Sequence, residues 1–148
     1  MGRELTRLAT VEDAERLGAL LDDFQTEFGD PTPGAEILAD RIRKAIARDE
    51  LVYVIAPDGL AQLSFRTWLM SGTPIALLEE LYVAPGARGR GQGRALLEHA
   101  MAAARERGAT TIELNTSETD VAARRLYESA GFTNLEHGAP MLFYEREL

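Results

Sequence analysis

Two acidic side chains, Glu79 and Glu80, interrupt a run that is otherwise apolar from Ile75 to Val83. Charge inside such a strand is unfavourable unless it is used or open to water. Alternation sends one carboxylate to each face of a sheet, unless a bulge turns them together. A carboxylate in a cleft is a candidate proton acceptor, because burial and a neighbouring like charge raise its affinity for protons. The plainer alternative is an exposed pair on the open face of the sheet. Shortly after comes Arg88-Gly89-Arg90-Gly91-Gln92-Gly93-Arg94, which follows a predicted strand and opens a predicted helix. The first turn of a helix has unpaired N–H groups and a partial positive charge. Glycines let the backbone approach a phosphate closely, and arginines add charge-assisted donors. The chemistry suits a pyrophosphate.

Two nucleotide motifs are excluded there. A Walker loop needs Gly-Lys-Ser/Thr, and the chain's one lysine is Lys44. A dinucleotide fingerprint needs Gly-x-Gly-x-x-Gly, whereas Gly89, Gly91 and Gly93 alternate and Arg94 stands three beyond Gly91. Taken alone, the loop reads equally well as a solvated surface turn.

The elements that must position these residues are legible from periodicity and punctuation. Leu5 to Leu8 is a short predicted strand. Thr10 with Asp13 approximates a capping box ahead of a helix that buries Ala14, Leu17, Leu20, Leu21, Phe24 and Phe28 and ends at Gly29-Asp30-Pro31. A second helix spans Ala35 to Arg48. Strands are predicted at Leu51 to Ala56, Leu60 to Leu69 and Ile75 to Val83, with turns at Pro57-Asp58-Gly59 and Ser71 to Pro74. Then come a helix from Gly91 to Arg107, a strand from Thr111 to Thr116, a helix from Asp120 to Ala130, and a final pair of strands, Phe132 to Glu136 and Met141 to Glu147. The order predicts an α+β fold: one domain over 1–148, with a mixed central sheet and helices on both faces.

Composition narrows the function. The chain has 148 residues, 45 % of them hydrophobic, enough for a core without cross-links. There is no cysteine, which excludes disulfides and thiolate chemistry. A net charge of −8 argues against nucleic-acid binding and mildly favours cationic substrates. The start of the chain lacks the apolar run of a signal peptide, and no stretch is long and apolar enough to span a bilayer, so a soluble cytoplasmic protein is expected. No metal is expected, since His99 and His137 are not at ligand spacing.

The segments Leu78-Glu79-Glu80-Leu81-Tyr82-Val83-Ala84-Pro85 and Arg88 to Leu97 together resemble the acetyl-CoA-binding motif of the GNAT superfamily of N-acetyltransferases. Arg88-x-x-Gly91-x-Gly93 matches the core of that motif. Ala122-Ala123-Arg124-Arg125-Leu126-Tyr127-Glu128-Ser129-Ala130-Gly131-Phe132 resembles the family's second hallmark, in the family's order and at about its spacing.

The resemblance implies acetyl transfer from acetyl-CoA, as cosubstrate, to a small-molecule or peptide amine. It implies a bulged strand at Leu78 to Val83 that splays from Ile112 to Thr116, forming a cleft for the pantetheine arm on the backbone of Leu81, Tyr82 and Val83. The pyrophosphate would rest on the N–H groups of Arg88 to Arg94. Glu79 would be the base, acting through water, with Glu80 on the substrate ammonium. Tyr127, one turn after Ala123, would protonate the leaving thiolate. Many relatives carry Asn where this chain has Asp120; Asp caps a helix but cannot donate when ionised. Asn115 is a second candidate polar contact. Homodimers are common among relatives. A non-catalytic acyl-CoA-binding module on the same fold is the alternative function.

The remaining conspicuous residues have simpler readings. His99 is read as a boundary residue, His137 as a solvated loop residue and Trp68 as packing at a strand end. The acidic set Asp22, Asp23, Glu27 and Asp30 is read as a solvated helix face; the resemblance implies instead that the first helices border the acceptor site, where Phe24, Phe28 and these acids would select the substrate.

Overall fold

The computed structural model describes residues 5–148. The chain falls into two compact units, one ending at Leu114 and the other spanning Asn115–Leu148. The first unit begins with β1 (Arg7–Leu8), α1 (Ala14–Glu27) and α2 (Ala35–Ala47). It continues through β2 (Val52–Ala56), β3 (Gly59–Thr67), β4 (Pro74–Val83), α3 (Gln92–Glu106) and β5 (Thr111–Leu114). The five strands form one sheet in the order β1-β2-β3-β4-β5. The first four pair antiparallel, and β5 pairs parallel to β4 after the crossover through α3, so the sheet is mixed.

Helices cover both faces. One core groups Ala14, Leu17, Leu20 and Leu21 of α1 and Ile42 of α2 with Tyr53, Ile55, Leu60 and Tyr82 of the sheet. The register pairs Tyr53 with Gln62, Ile55 with Leu60, and Leu60 with Tyr82, which puts these residues on one face by strand alternation. The opposite parity belongs to α3. A Cβ on Gly59 would stand 3.0 Å from Leu96 Cδ1 of α3 and 2.4 Å from the Tyr82 carbonyl oxygen, so only glycine fits that approach. Leu96, Leu97 and Ala100 of α3 are fully buried. Among the described residues, no helix is long and apolar enough to cross a membrane.

Capping follows the predicted chemistry. Thr10 and Asp13 form the capping box, ahead of a short 3₁₀ turn that leads into α1. His99 is tied to the start of the chain by Thr6 Oγ1, 2.8 Å from its Nδ1. Trp68 lies just past β3 and is half-exposed, with its N–H donated to the Thr73 carbonyl at 3.0 Å.

The second unit holds α4 (Val121–Ser129), β6 (Leu135–Glu136) and β7 (Ala139–Pro140). The expected final strands are corrected here. His137 and Gly138, at φ 50° and 81°, make a two-residue turn, so Leu135 pairs with Pro140 and Glu136 with Ala139. Pro140 has no N–H to extend the ladder. Residues 141–148 form no strand, although the Met141 N–H reaches the Asn134 carbonyl at 2.6 Å.

Candidate functional site

The β3–β4 ladder contains the expected bulge. Gln62 faces Glu80, yet Leu63 faces Leu78, so Glu79 is the extra residue on β4. Unbroken alternation would put the two carboxylates on opposite faces. The inserted residue resets the parity and turns both toward the α1–α2 side. Glu79 accepts from the Gln62 side-chain amide and from Ser64 Oγ, the latter at 2.7 Å. The Tyr53 hydroxyl donates to Gln62 Oε1 at 2.7 Å, completing the row Tyr53–Gln62–Glu79–Ser64. Burial, then the charges of Glu79 and Glu80, push the Tyr53 phenol well above its ordinary value, so it stays a donor.

Glu80 lies half-buried beside a cavity of about 220 Å³ lined chiefly by apolar residues of α1 and α2, including Leu21, Phe24, Leu38 and Ile42. Burial first, and Glu79 second, raise its carboxyl above the ordinary carboxylate value. Its oxygens have no hydrogen-bond donor among the described residues. Among the described residues no fully buried side-chain oxygen lacks a partner, so those oxygens open onto reachable space.

The same bulge ends the pairing on the other edge. The β4–β5 ladder runs from Ile75 opposite Thr111 to Leu78 opposite Leu114, and β4 continues from Glu79 to Val83 without a β5 partner. Leu81 and Val83 therefore lie beyond the last β5 rung. Tyr82 points the other way, stacked on Phe24 with ring centroids 4.8 Å apart and its hydroxyl donated to Glu27 at 3.1 Å.

The Gly/Arg segment forms the start of α3. Gly91 is the N-cap at φ 85°, in the left-handed region, and Gly89 has φ 78°. The Ala95 N–H makes the first rung, to the Gly91 carbonyl at 3.0 Å, so the N–H groups of Gln92 and Gly93 precede the helical ladder. Arg90 and Arg94 are exposed around this end. Gln92 and Arg88 hold the segment to its neighbours. Gln92 is buried and holds the β2–β3 turn, accepting from the Asp58 N–H at 2.9 Å and donating to Asp58 Oδ2 at 3.1 Å. Arg88 grips both oxygens of Glu27, at 2.9 and 2.8 Å, and donates through Nε to the Val83 carbonyl at 2.9 Å. Glu27 is thus no merely solvated acid: it joins α1 to the loop after β4.

In the second unit, Asp120 caps α4 by accepting from the Ala123 N–H at 3.1 Å. Tyr127 lies one turn later, its ring tilted against Phe132 at 5.9 Å. Asn115 directly follows β5. Sequence reasoning missed Tyr53, Gln62 and Ser64. The available signal was a polar residue at every second position of β3, Gln62, Ser64 and Arg66, alternating with the apolar Ala61, Leu63 and Phe65.

The Acetyltransferase (GNAT) family matches residues 15–132. A mycothiol acetyltransferase of Beutenbergia cavernae is 37% identical over 94% of this chain, and the chain spans 50% of that relative's length. An aminoglycoside N(6')-acetyltransferase type 1 of Klebsiella aerogenes is 36% identical over 68% of each chain. A candidate acetyltransferase of Arthrobacter sp. FB24, solved by crystallography, is 46% identical, with a TM-score of 0.92 over 100% of this chain and 98% of that one. With that match over most of its length, and with a bulged fourth strand followed by a glycine-capped helix start, the chain belongs to the acetyltransferase (GNAT) family.

Proposed function

We propose that this protein transfers the acetyl group of acetyl-CoA to a primary amine by direct attack. The reading is carried by one observation: the β4 bulge puts Glu79 and Glu80 on one face, with Glu80 half-buried at an apolar cavity. The family uses acetyl-CoA. The pyrophosphate sits on the N–H groups that open α3, with Arg90 and Arg94 around it, and the pantetheine arm pairs with the β4 edge at Leu81 and Val83. Asn115, Asp120 and Ala123 are further proposed cofactor contacts, as the family resemblance implies.

An ammonium must lose a proton before its lone pair attacks the thioester carbon. That proton passes, directly or through water, to the Glu79–Glu80 pair. The raised carboxyl of Glu80 is the better match to a general base, while Glu79 is already committed to Gln62 and Ser64. This reverses the two roles expected from the sequence. Attack forms the C–N bond and moves charge to the carbonyl oxygen, which a backbone N–H near Leu81 to Val83 stabilises. The C–S bond then breaks, and Tyr127 gives its hydroxyl proton to the leaving thiolate.

The test is release of free thiol from acetyl-CoA with a panel of amines, run across pH for the parent, Glu79→Gln and Glu80→Gln. Glu80→Gln should lower kcat by roughly 10²–10⁴-fold, with partial recovery at high pH, where more of the amine is already neutral. Parent-like profiles in both variants would show that the pair is structural.

A further inference from the structure

Relatives named for mycothiol and for aminoglycoside acetylation do not agree on an acceptor. The cavity beside Glu80 is lined by a further charged group. Arg41 of α2 lines it together with Glu80. Neighbouring cations on α2 are neutralised locally: Lys44 pairs with Asp40 at 2.9 Å, and Arg43 lies 3.9 Å from the same carboxylate. Arg41 has no ion-pair or hydrogen-bond partner among the described residues, and Glu80 has no hydrogen-bond donor. One cavity of about 220 Å³ therefore presents an unpartnered cation and an unpartnered anion across an apolar wall.

We propose that the acceptor is a compact amphoteric amine, its ammonium at Glu80, its apolar body against Leu21, Phe24, Leu38 and Ile42, and an anionic group at Arg41. Glu80 and Arg41 do not bridge each other, so a molecule carrying both charges completes both. A guanidinium suits a carboxylate because its donors form a fork. The cavity, open on one side, has about 220 Å³, below the ~300–1,000 Å³ of drug-sized pockets, which favours an aliphatic chain or single ring, such as the side chain of an apolar amino acid. A polycation fits poorly: the chain's net negative charge would attract it, but Arg41 would repel its remaining charges within the cavity.

This assignment rests on the reading of the site as an amine acetylation centre, and the experiment separates the two. Thiol release is measured for leucine and phenylalanine, their carboxamides, the matching decarboxylated amines, a dipeptide and spermidine, with acetyl-CoA binding followed by thermal shift. The carboxamide amine is the weaker base and is deprotonated more easily, so the comparison is biased against the proposal. The free amino acids should still exceed their carboxamides by about tenfold in kcat/KM, mainly through KM, the scale of one charge-assisted contact. Arg41→Gln should erase that ratio while leaving the decarboxylated amines unaffected, and Arg41→Lys should retain part of it. Arg41 is exposed, so both variants should fold. Preference for a carboxamide, the dipeptide or spermidine, or an unchanged ratio in Arg41→Gln, overturns the assignment and leaves amine acetylation standing. Acetyl-CoA binding without turnover of any amine overturns both.

Discussion

Gln62 stands directly across the ladder from Glu80, yet it gives its side-chain amide to Glu79. The bulge makes this geometry possible, because the inserted residue brings both carboxylates to the face that Gln62 occupies. Gln62 also accepts from Tyr53, so one amide orders a phenol and a carboxylate together. Gln62→Leu removes a donor to Glu79 and the acceptor of a part-buried hydroxyl. It should destabilise the fold by about 1–3 kcal/mol, the cost of stranding such partners. Turnover should fall alongside, as Glu79 keeps only Ser64. Urea unfolding and thiol release would measure both. Parent-like stability with parent-like turnover would show that the row is incidental.

Glu80 gives a pH dependence of stability with a definite sign. Its folded-state carboxyl is raised by burial and by Glu79, so the folded protein holds this proton more tightly than the unfolded chain. Ionised Glu80 therefore costs stability at neutral pH. That cost shrinks as pH falls through the raised value and is gone below the ordinary carboxylate range. Glu80→Gln should raise Tm in neutral buffer, and the gain should vanish in acid. A constant or negative difference across pH would mean that Glu80 is well solvated.

Gly91 adopts φ 85° at the N-cap of α3, with nothing within 4 Å of a built Cβ. Space is available there, but the backbone conformation is strained for any other residue. Gly91→Val should cost about 1–3 kcal/mol of stability. It should also obstruct a phosphate at the helix start. Saturating acetyl-CoA at a hundred times its Kd stabilises a binding fold by about 2.7 kcal/mol. The thermal shift should be clear in the parent and absent in Gly91→Val. A full shift in the variant would place the pyrophosphate elsewhere.

Tyr127 packs on Phe132 through its ring. Tyr127→Phe keeps that ring and removes only the hydroxyl. If the hydroxyl protonates the thiolate, kcat should drop by roughly 10²–10⁴-fold with an unchanged acetyl-CoA thermal shift. Turnover at the parent level would make Tyr127 a packing residue.

Most elements were legible because their signals are local. Helical spacing of Ala14, Leu17, Leu20 and Leu21 marked α1, and the Thr10–Asp13 box marked its entry. Glycine and arginine at fixed spacing marked the start of α3, whose N-cap conformation follows from Gly91 itself. The end of the chain was less legible: apolar residues from Met141 onward suggested a strand, but the turn at His137–Gly138 set a nearer register that stops at Pro140.

The sequence by itself determined the adjacency of two carboxylates and the type of helix start that follows them, because both depend on residues next to one another. Only the tertiary structure decided which face the carboxylates share, that Arg88 closes on Glu27, and that Arg41 and Glu80 line one cavity. Those relationships depend on the register of β3 against β4 and on the packing of α1 and α2 over the sheet. A one-residue shift in that register would send Glu80 to the other face without changing a letter of the sequence.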